Sequence, residues 1–176
     1  MNAIPEAISR ASFSSPMGNL VGLASEQGLV ALEFEDPGLL GSLESRFHRT
    51  FLGMKVESRD TAVHRATGAW LESYFAGGRP DSESVPLDLR GTDFERAVWG
   101  ALLEVQIGTT VSYSELARRL GRPNGARAIG SSVGRNPIAI LVPCHRVIGA
   151  NGSLTGYAGG LDRKRWLLRH EGTLLV

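Results

Sequence analysis

A glycine- and proline-rich segment near the middle of the chain limits what this sequence can fold into. Gly77-Gly78-Arg79-Pro80 is followed by a polar run to Pro86, and such a segment is typical of a linker. At 176 residues, the chain has room for one domain or for two small ones. We therefore predict an N-terminal domain over residues 1–86 and a C-terminal domain over residues 87–176.

The segment before the linker has the pattern of a short antiparallel meander followed by a helix. Arg10–Ser15, Leu20–Ala24 and Leu29–Phe34 read as strands separated by turn residues. Leu39–Phe47 could form a short helix, and the apolar spacing within Thr61–Phe75 predicts a longer one. The expected N-terminal domain is a small sheet with helices.

The second half is marked by helix-capping sequences. Thr92 and Glu95 fit a capping box, and Ser112 and Glu115 fit another one at the start of the next helix. A further helix is predicted over about Gly125–Val133, after a tight turn that contains glycine, proline and asparagine. Two short helices joined in this way are typical of a helix-turn-helix.

A segment that contains the single cysteine of the chain follows this pair of helices. The apolar run Ile138–Val142 is long enough for one buried strand, and it leads to Pro143-Cys144-His145-Arg146. Asn151-Gly152 predicts a type I′ turn, and Leu161–His170 predicts a last amphipathic helix. The predicted fold class is mixed α/β (α+β), with a sheet-and-helix domain followed by a helical one.

Composition excludes several classes of protein. With 21% charged and 42% hydrophobic residues, the chain is neither disordered nor rich enough in apolar runs to span a membrane. The N-terminal residues lack the features of a signal peptide, so we expect a cytoplasmic protein. One cysteine forms no internal disulfide and no multi-thiolate zinc site.

The two halves of the chain differ in net charge. Residues 1–91 have a formal net charge of −4 and residues 92–176 one of +5, a weak indication of a polyanionic partner for the second half.

Cys144 is the residue most suited to chemistry. A thiol becomes a good nucleophile when nearby basic groups lower its pKa from about 8.5, although a lone cysteine is as often buried and inert. Consecutive residues of a strand point to opposite faces, so His145 faces the sulfur only if the chain turns at Pro143. Glu171 stands at a helix C-terminus, where an acid opposes the helix dipole, and this suggests a partner elsewhere. No phosphate-binding loop or dinucleotide fingerprint is present.

The string Pro143–Gly149 resembles the active-site signature of O6-alkylguanine-DNA alkyltransferases, the methylated-DNA–protein-cysteine methyltransferases. Further segments match the family's order and approximate spacing: Arg90–Phe94, Val111–Tyr113, Ala126–Gly130, Asn136-Pro137, Gly156–Gly160 and Arg169–Gly172. The resemblance covers about residues 88 to 173, whereas the first half resembles the family mainly through Ser15–Gly18. It implies a ribonuclease H-like N-terminal domain and a winged helix-turn-helix-like DNA-binding domain.

The resemblance assigns the catalytic roles by position. Cys144 would take the alkyl group from O6 of guanine, and also from O4 of thymine. His145 would deprotonate the thiol through a water molecule, and Glu171 would orient His145. Asn136 would form a hinge between the DNA-binding helix and the active-site segment. Tyr113 would help to rotate the target phosphate and would protonate the leaving guanine.

The resemblance also assigns the DNA and substrate contacts. Arg127 would enter the duplex in place of a flipped base, a step that offsets the cost of extrusion. The other residues assigned to DNA contact are Ala126, Ala128, Gly130 and Ser112. The residues assigned to the substrate pocket are Arg146, Val147, Tyr157, Ala158 and Gly159. The implied partner is double-stranded DNA that contains O6-alkylguanine, with no membrane, no obligatory protein partner and no cofactor. The protein would be a monomer that reacts once, because a thioether is very stable.

Two departures from the family pattern and three rival functions remain. Some relatives hold zinc partly through N-terminal cysteines, which this chain lacks, so we expect no metal. Ala158 stands where some relatives have serine, which leaves only a backbone contact there and leaves open which alkyl groups larger than methyl fit.

Three alternative functions are a module that recognises lesions without reacting, a cysteine hydrolase with a Cys144/His145/Glu171 triad, and a transcriptional regulator. The nucleophile argues against the first, the small-residue helix against the second, and the single helix-turn-helix against the third.

Overall fold

A four-stranded sheet forms the framework of the N-terminal part of the chain. In the computed structural model, which describes residues 7–38 and 56–173, the chain divides into the units Met1–Leu89 and Arg90–Val176. The sheet has the order β3-β2-β1-β4, and its strands are β1 (Ile8–Phe13), β2 (Leu20–Ala24), β3 (Leu29–Phe34) and β4 (Val56–Ser58). The first three strands are antiparallel, and β4 pairs with β1 in parallel. The boundary predicted between residues 86 and 87 concerns domains that fold independently, and it stays a prediction.

The three predicted strands are present, with a shift in the first one. Strand β1 ends at Phe13 rather than at Ser15, because Ser15 belongs to the following turn: its carbonyl accepts a hydrogen bond from the Gly18 N–H at 3.2 Å. Strand β3 is buried along its whole length. The helix predicted over Leu39–Phe47 lies outside the described residues.

Helix α1 (Ala62–Phe75) covers part of this sheet and confirms the predicted periodicity. Thr61 is its N-cap, and the Thr61 hydroxyl accepts a hydrogen bond from the His64 N–H at 3.3 Å. Side chains that recur every three or four residues are buried on its inner face: Val63, Thr67, then Trp70 with its neighbour Leu71, and Tyr74. The predicted linker contains a short 3-10 helix, Ser82–Ser84.

The C-terminal unit begins with helix α2 (Asp93–Leu103), whose capping box is confirmed. The Glu95 N–H donates to the Thr92 hydroxyl at 3.2 Å, and the Thr92 N–H donates to the Glu95 carboxylate at 2.9 Å. The second box is only half formed. Ser112 caps its helix, but the Glu115 carboxylate pairs with Arg118 and Arg119 on the surface instead.

Two short helices form the predicted helix-turn-helix. Strand β5 (Val111–Ser112) leads into α3 (Tyr113–Arg119), and α4 (Ala126–Gly134) follows the turn. Gly121 has a φ of +68° at the end of α3, which glycine adopts without strain. Helix α4 is held from beneath, because the Trp99 indole N–H donates to the Ser132 carbonyl at 2.9 Å.

The prediction of a strand over Ile138–Val142 is wrong. All five residues are buried, but the backbone forms tight turns in which the Val142 N–H donates to the Ile138 carbonyl and Ile140 has a φ of +70°. The Asn136 side chain accounts for the difference. It donates to the carbonyls of Ile138 and Val142 and accepts from the Ile138 N–H, so it replaces the neighbouring strand that these groups would otherwise require.

The active-site segment is followed by strand β6 (Val147–Ile148), which pairs in parallel with β5. The predicted type I′ turn at Asn151-Gly152 is also wrong. The Gly152 N–H donates to the Gly149 carbonyl, and Gly152 alone of the predicted pair has a positive φ, whereas a type I′ turn requires both. Helix α5 (Leu161–His170) ends the described fold. Among the described helices, none is long and apolar enough to cross a membrane.

Candidate active site

Cys144 lies at the start of one turn of 3-10 helix, Cys144–Arg146, directly after Pro143. This turn removes the objection that consecutive strand residues face opposite ways. The thiol is 8% exposed, and the Asn136 amide donates to its sulfur at 3.1 Å. A donor at this position stabilises a thiolate more than a thiol, because hydrogen bonds to a charged acceptor are the stronger ones.

His145 and Glu171 form a buried pair. The His145 Nε2–H donates to the Glu171 carboxylate at 2.7 Å, and both side chains are 0% exposed. Arg146 binds the same carboxylate with two parallel hydrogen bonds of 2.9 Å and donates to the Val105 carbonyl at 2.5 Å. The acid at the end of α5 therefore has two partners, and it sets the orientation of the imidazole ring.

The charges of this network are well defined at neutral pH. The hydrogen bonds from His145 and Arg146, together with the charge on Arg146, hold the pKa of Glu171 at about 2 in spite of its burial. Burial is the largest effect on His145 and lowers its pKa, with further lowering by Arg146 and Lys164. An ionised Glu171 beside a neutral imidazole leaves His145 able to accept a proton.

The second ring nitrogen of His145 is the atom that could accept this proton. Nδ1 is buried, and within the described residues it has no hydrogen-bond partner. Because Nε2 carries the proton donated to Glu171, Nδ1 is the acceptor nitrogen of the neutral ring. Buried polar atoms of this kind are commonly satisfied by an ordered water.

The Tyr113 side chain contacts the segment that contains Thr155 and Gly156. Its hydroxyl donates weakly to the Thr155 carbonyl at 3.3 Å and to the Gly156 carbonyl at 3.5 Å. Burial raises the pKa of Tyr113, and the charge on Cys144 raises it further. The phenol therefore stays protonated at neutral pH. Tyr113 and Cys144 are close enough to interact, although Tyr113 belongs to the helix-turn-helix.

Helix α4 presents the predicted DNA-contacting residues on its outer side. Arg127 and Ala128 are exposed, and Ala126 and Gly130 are half-buried. A Cβ atom at Gly130 would lie 3.6 Å from the Tyr113 ring, so this glycine lies against the ring. Ser112, half-buried, is used as the N-cap of α3.

The predicted pocket residues are divided between two environments. Val147 is fully buried in β6, and Arg146 is occupied by the Glu171 network rather than offered to a ligand. Tyr157 and Gly159 are half-buried and Ala158 is exposed. The structure thus brings Cys144, Asn136, His145, Glu171 and Tyr113 into one region, and Arg146 donates its hydrogen bonds to Glu171 and Val105.

Lys164 is a member of the site that the sequence analysis missed. It is 0% exposed on α5, and its ammonium donates to backbone carbonyls on two segments of the site, those of Val147 and Thr155. No local signal marks it, because Arg163 and Arg165 flank it and such a run is typical of an exposed helix face. Within residues 7–38 and 56–173, no three His, Cys, Asp or Glu side chains are grouped as metal ligands.

Comparison with known families accounts for both parts of the chain. Residues 8–89 match the ribonuclease-like domain of 6-O-methylguanine DNA methyltransferase, and residues 93–173 match its DNA-binding domain. The methylated-DNA–protein-cysteine methyltransferase of Shigella flexneri is 54% identical over 106 residues, which are 60% of this chain. The chain spans about 62% of the length of that relative.

Two other similar proteins extend the match along the chain. The methylated-DNA–protein-cysteine methyltransferase of Methanosarcina acetivorans is 43% identical over 168 residues, covering 93% of this chain and 97% of that protein. A crystal structure of Mycobacterium tuberculosis OGT in complex with DNA has a TM-score of 0.76 and 41% identity, with 93% of each chain covered. These matches confirm the resemblance and the mixed α/β fold class. On this evidence, the chain belongs to the methylated-DNA–protein-cysteine methyltransferase family.

Proposed function

We propose that this protein repairs DNA by direct reversal, with Cys144 as the acceptor of an alkyl group from O6 of guanine. The observation that carries the proposal is the arrangement around Cys144. A buried sulfur accepts a hydrogen bond from Asn136, and the next residue, His145, is neutral and oriented by an ionised carboxylate. A family member with this arrangement is suited to form a thiolate and use it as a nucleophile.

The first step is removal of the thiol proton. The proton passes from the Cys144 sulfur to a water molecule, and the water gives a proton to Nδ1 of His145. The buried acceptor at Nδ1 supports this route. Glu171 stabilises the imidazolium that results, because its carboxylate accepts the Nε2–H bond.

The second step is the transfer itself. The sulfur attacks the alkyl carbon, a carbon–sulfur bond forms, and the bond between this carbon and O6 breaks. The electron pair stays with the guanine, which takes up a proton from the Tyr113 hydroxyl. Burial raises the pKa of Tyr113, so the phenol is protonated at neutral pH and has a proton to give. The same displacement extends to O4 of thymine.

The lesion must leave the base stack before it can meet a buried sulfur. Helix α4 supports a role in this extrusion, since Arg127 is exposed and Ala128 has too little bulk to obstruct the minor groove. Arg127 would fill the space of the flipped base, with Ala126 and Gly130 along the groove. Ser112 would contact the phosphate backbone, and Val147, Tyr157, Ala158 and Gly159 would contact the guanine.

The stability of the thioether product determines how many lesions each protein molecule repairs. A thioether on Cys144 is stable, and the chain has no second cysteine to regenerate the thiol. Each molecule would therefore act once. We propose that it acts as a monomer and without a cofactor. A reduced thiol is necessary throughout, which favours a cytoplasmic location.

A repair assay tests the proposal. Duplex DNA with one O6-methylguanine is mixed with the protein, and the lesion that remains is measured by chromatography of the nucleosides. We expect the lesion to disappear until the repaired amount equals the protein added, and Cys144→Ser to repair nothing while it still binds the duplex. Continued turnover beyond one lesion per protein would contradict the single-use mechanism. Tight lesion binding without repair by the wild type would place the protein in a recognition-only class.

A further inference from the structure

The chain contains 19 basic residues besides histidine, and only two of them, Lys55 and Lys164, are lysines. Lys164 is also one of the largest fully buried side chains. A lysine is almost never fully buried unless it is paired or hydrogen-bonded. The proposed mechanism gives this buried charge no role.

The ammonium group of Lys164 has three acceptors, all of them backbone carbonyls. It donates to Val147 at 2.5 Å, to Thr155 at 2.7 Å and to Gly156 at 3.3 Å. Three donors and three acceptors match the capacity of an ammonium group. Val147 directly follows the Cys144–Arg146 turn, whereas Thr155 and Gly156 belong to the next segment of the chain. The ammonium group therefore joins two separate segments of the site.

Two of these carbonyls are shared with Tyr113. Its hydroxyl also donates to Thr155 and Gly156. The position of the phenol therefore depends on two carbonyl groups whose own positions are held by Lys164. A side chain of similar length without charge would leave the buried Val147 carbonyl and the Thr155 and Gly156 carbonyls without this donor.

We propose that Lys164 is a positioning residue for alkyl transfer: its ammonium ties Thr155 and Gly156 to strand β6, which places the Tyr113 hydroxyl, and its charge favours the Cys144 thiolate. This inference rests on the proposed function, because it assumes that alkyl transfer takes place at Cys144. It adds Lys164 to the residues that support this reaction.

The electrostatics of the site support this role. Burial lowers the pKa of Lys164 to about 8, and the charge on Cys144 acts in the opposite direction and raises it. Lys164 also lowers the pKa of His145. The titratable groups around Lys164 are thus Cys144, His145 and, through the shared carbonyls, Tyr113. Below about pH 8 the ammonium favours the Cys144 thiolate, and it keeps His145 in the neutral form that has a free nitrogen for a proton.

The first test is Lys164→Met, with Arg165→Met as the matched control. Arg165 is the next residue of the same helix and is partly exposed, with a surface partner at Asp162. Two rates are measured at pH 7: repair of O6-methylguanine duplex and alkylation of Cys144 by iodoacetamide. We expect Lys164→Met to lower both rates by about tenfold or more, and Arg165→Met to leave the iodoacetamide rate unchanged. A folded Lys164→Met protein with both wild-type rates would overturn the proposal.

The second test uses the wild-type chain and so does not depend on the folding of the variant. Lysine labelled with ¹³C at the ε carbon gives two side-chain signals, and Lys55→Arg identifies the one from Lys164. The Lys164 signal is titrated before and after Cys144 is blocked with iodoacetamide, which leaves a neutral thioether. We expect the midpoint of Lys164 to move to lower pH once the sulfur can no longer carry charge. A purely structural lysine would keep its midpoint, and that result would overturn the proposal.

The experiments can overturn the proposed function and the role of Lys164 independently of each other. Iodoacetamide alkylation and the lysine titration involve no guanine, so they judge Lys164 whether or not the wild type repairs DNA. An absence of repair by the wild type, together with a coupled Lys164, would overturn the proposed function and support the role of Lys164 at the thiolate.

Discussion

Replacement of Glu171 by glutamine removes one negative charge from the centre of the site and keeps the side-chain shape. The carboxylate accepts one hydrogen bond from His145 and two from Arg146. In Glu171→Gln, the Arg146 guanidinium stays buried without its counter-charge. Removal of one partner from a buried ion pair costs about 3–5 kcal/mol.

The pKa of Glu171 gives an independent magnitude. The value falls from 4.5 to about 2, and a shift of this size corresponds to about 3 kcal/mol of stability. Because the folded-state pKa is depressed, this stability is fully present above pH 4.5 and is lost as the pH falls from 4.5 towards 2. We therefore expect Glu171→Gln to cost about 3 kcal/mol at pH 7 and about 2 kcal/mol at pH 3.5.

Urea denaturation at the two pH values measures both costs. Glu115→Gln is the matched control, since Glu115 pairs with Arg118 and Arg119 on the surface and exposed pairs contribute about 0–1 kcal/mol. The reasoning is refuted if Glu171→Gln costs no more than Glu115→Gln at pH 7. A cost for Glu171→Gln that is the same at pH 3.5 as at pH 7 would refute the assignment of the pKa shift.

Three further substitutions examine other parts of the account. Thr92→Ala removes the N-cap of α2, and we expect a loss of about 1 kcal/mol in urea denaturation; no change would mean that the capping box contributes nothing. Asn136→Ala leaves the buried carbonyls of Ile138 and Val142 without their side-chain donor, with an expected cost of about 3 kcal/mol and slower alkylation of the thiol by iodoacetamide, which a purely structural asparagine would not produce. Arg127→Ala should slow repair of duplex DNA far more than reaction with free O6-benzylguanine, and equal losses on the two substrates would remove Arg127 from base extrusion.

Local signals in the sequence predict most of the fold. The Thr92/Glu95 box and the Ser112 cap depend on residues three positions apart, so they can be recognised without any tertiary information. Apolar stretches bounded by turn residues likewise predict strands β2 and β3 with their correct bounds. These elements follow from short-range chemistry, and the fold class follows from their order along the chain.

The misplaced elements depend on side chains that act over a distance. Ile138–Val142 has the composition of a buried strand, but its backbone groups bond to the Asn136 side chain, and composition alone does not reveal such a partner. The sequence equally gives Lys164 the pattern of an exposed helix residue, although its three acceptors lie 8 to 17 positions away. Long-range hydrogen bonds of this kind become visible only in the folded chain.

Glu171 shows where a physical anomaly in the sequence indicates a site. An acid at a helix C-terminus is unfavourable there, and the structure supplies the reason in its bonds to His145 and Arg146. The resemblance to the family suggested the pairing with His145. Arg146 as a second partner of the same carboxylate was not predicted, because the resemblance assigned Arg146 to the substrate pocket.

The central claim is that the Cys144 sulfur is the atom that accepts the alkyl group. The most direct measurement is the intact mass of the protein after reaction with duplex DNA that contains O6-methylguanine, followed by peptide mapping. The account predicts a gain of one methyl group per protein, located on Cys144, with no further gain at higher DNA concentration. An unchanged mass in protein that has removed the lesion, or a methyl group on any other residue, would contradict it.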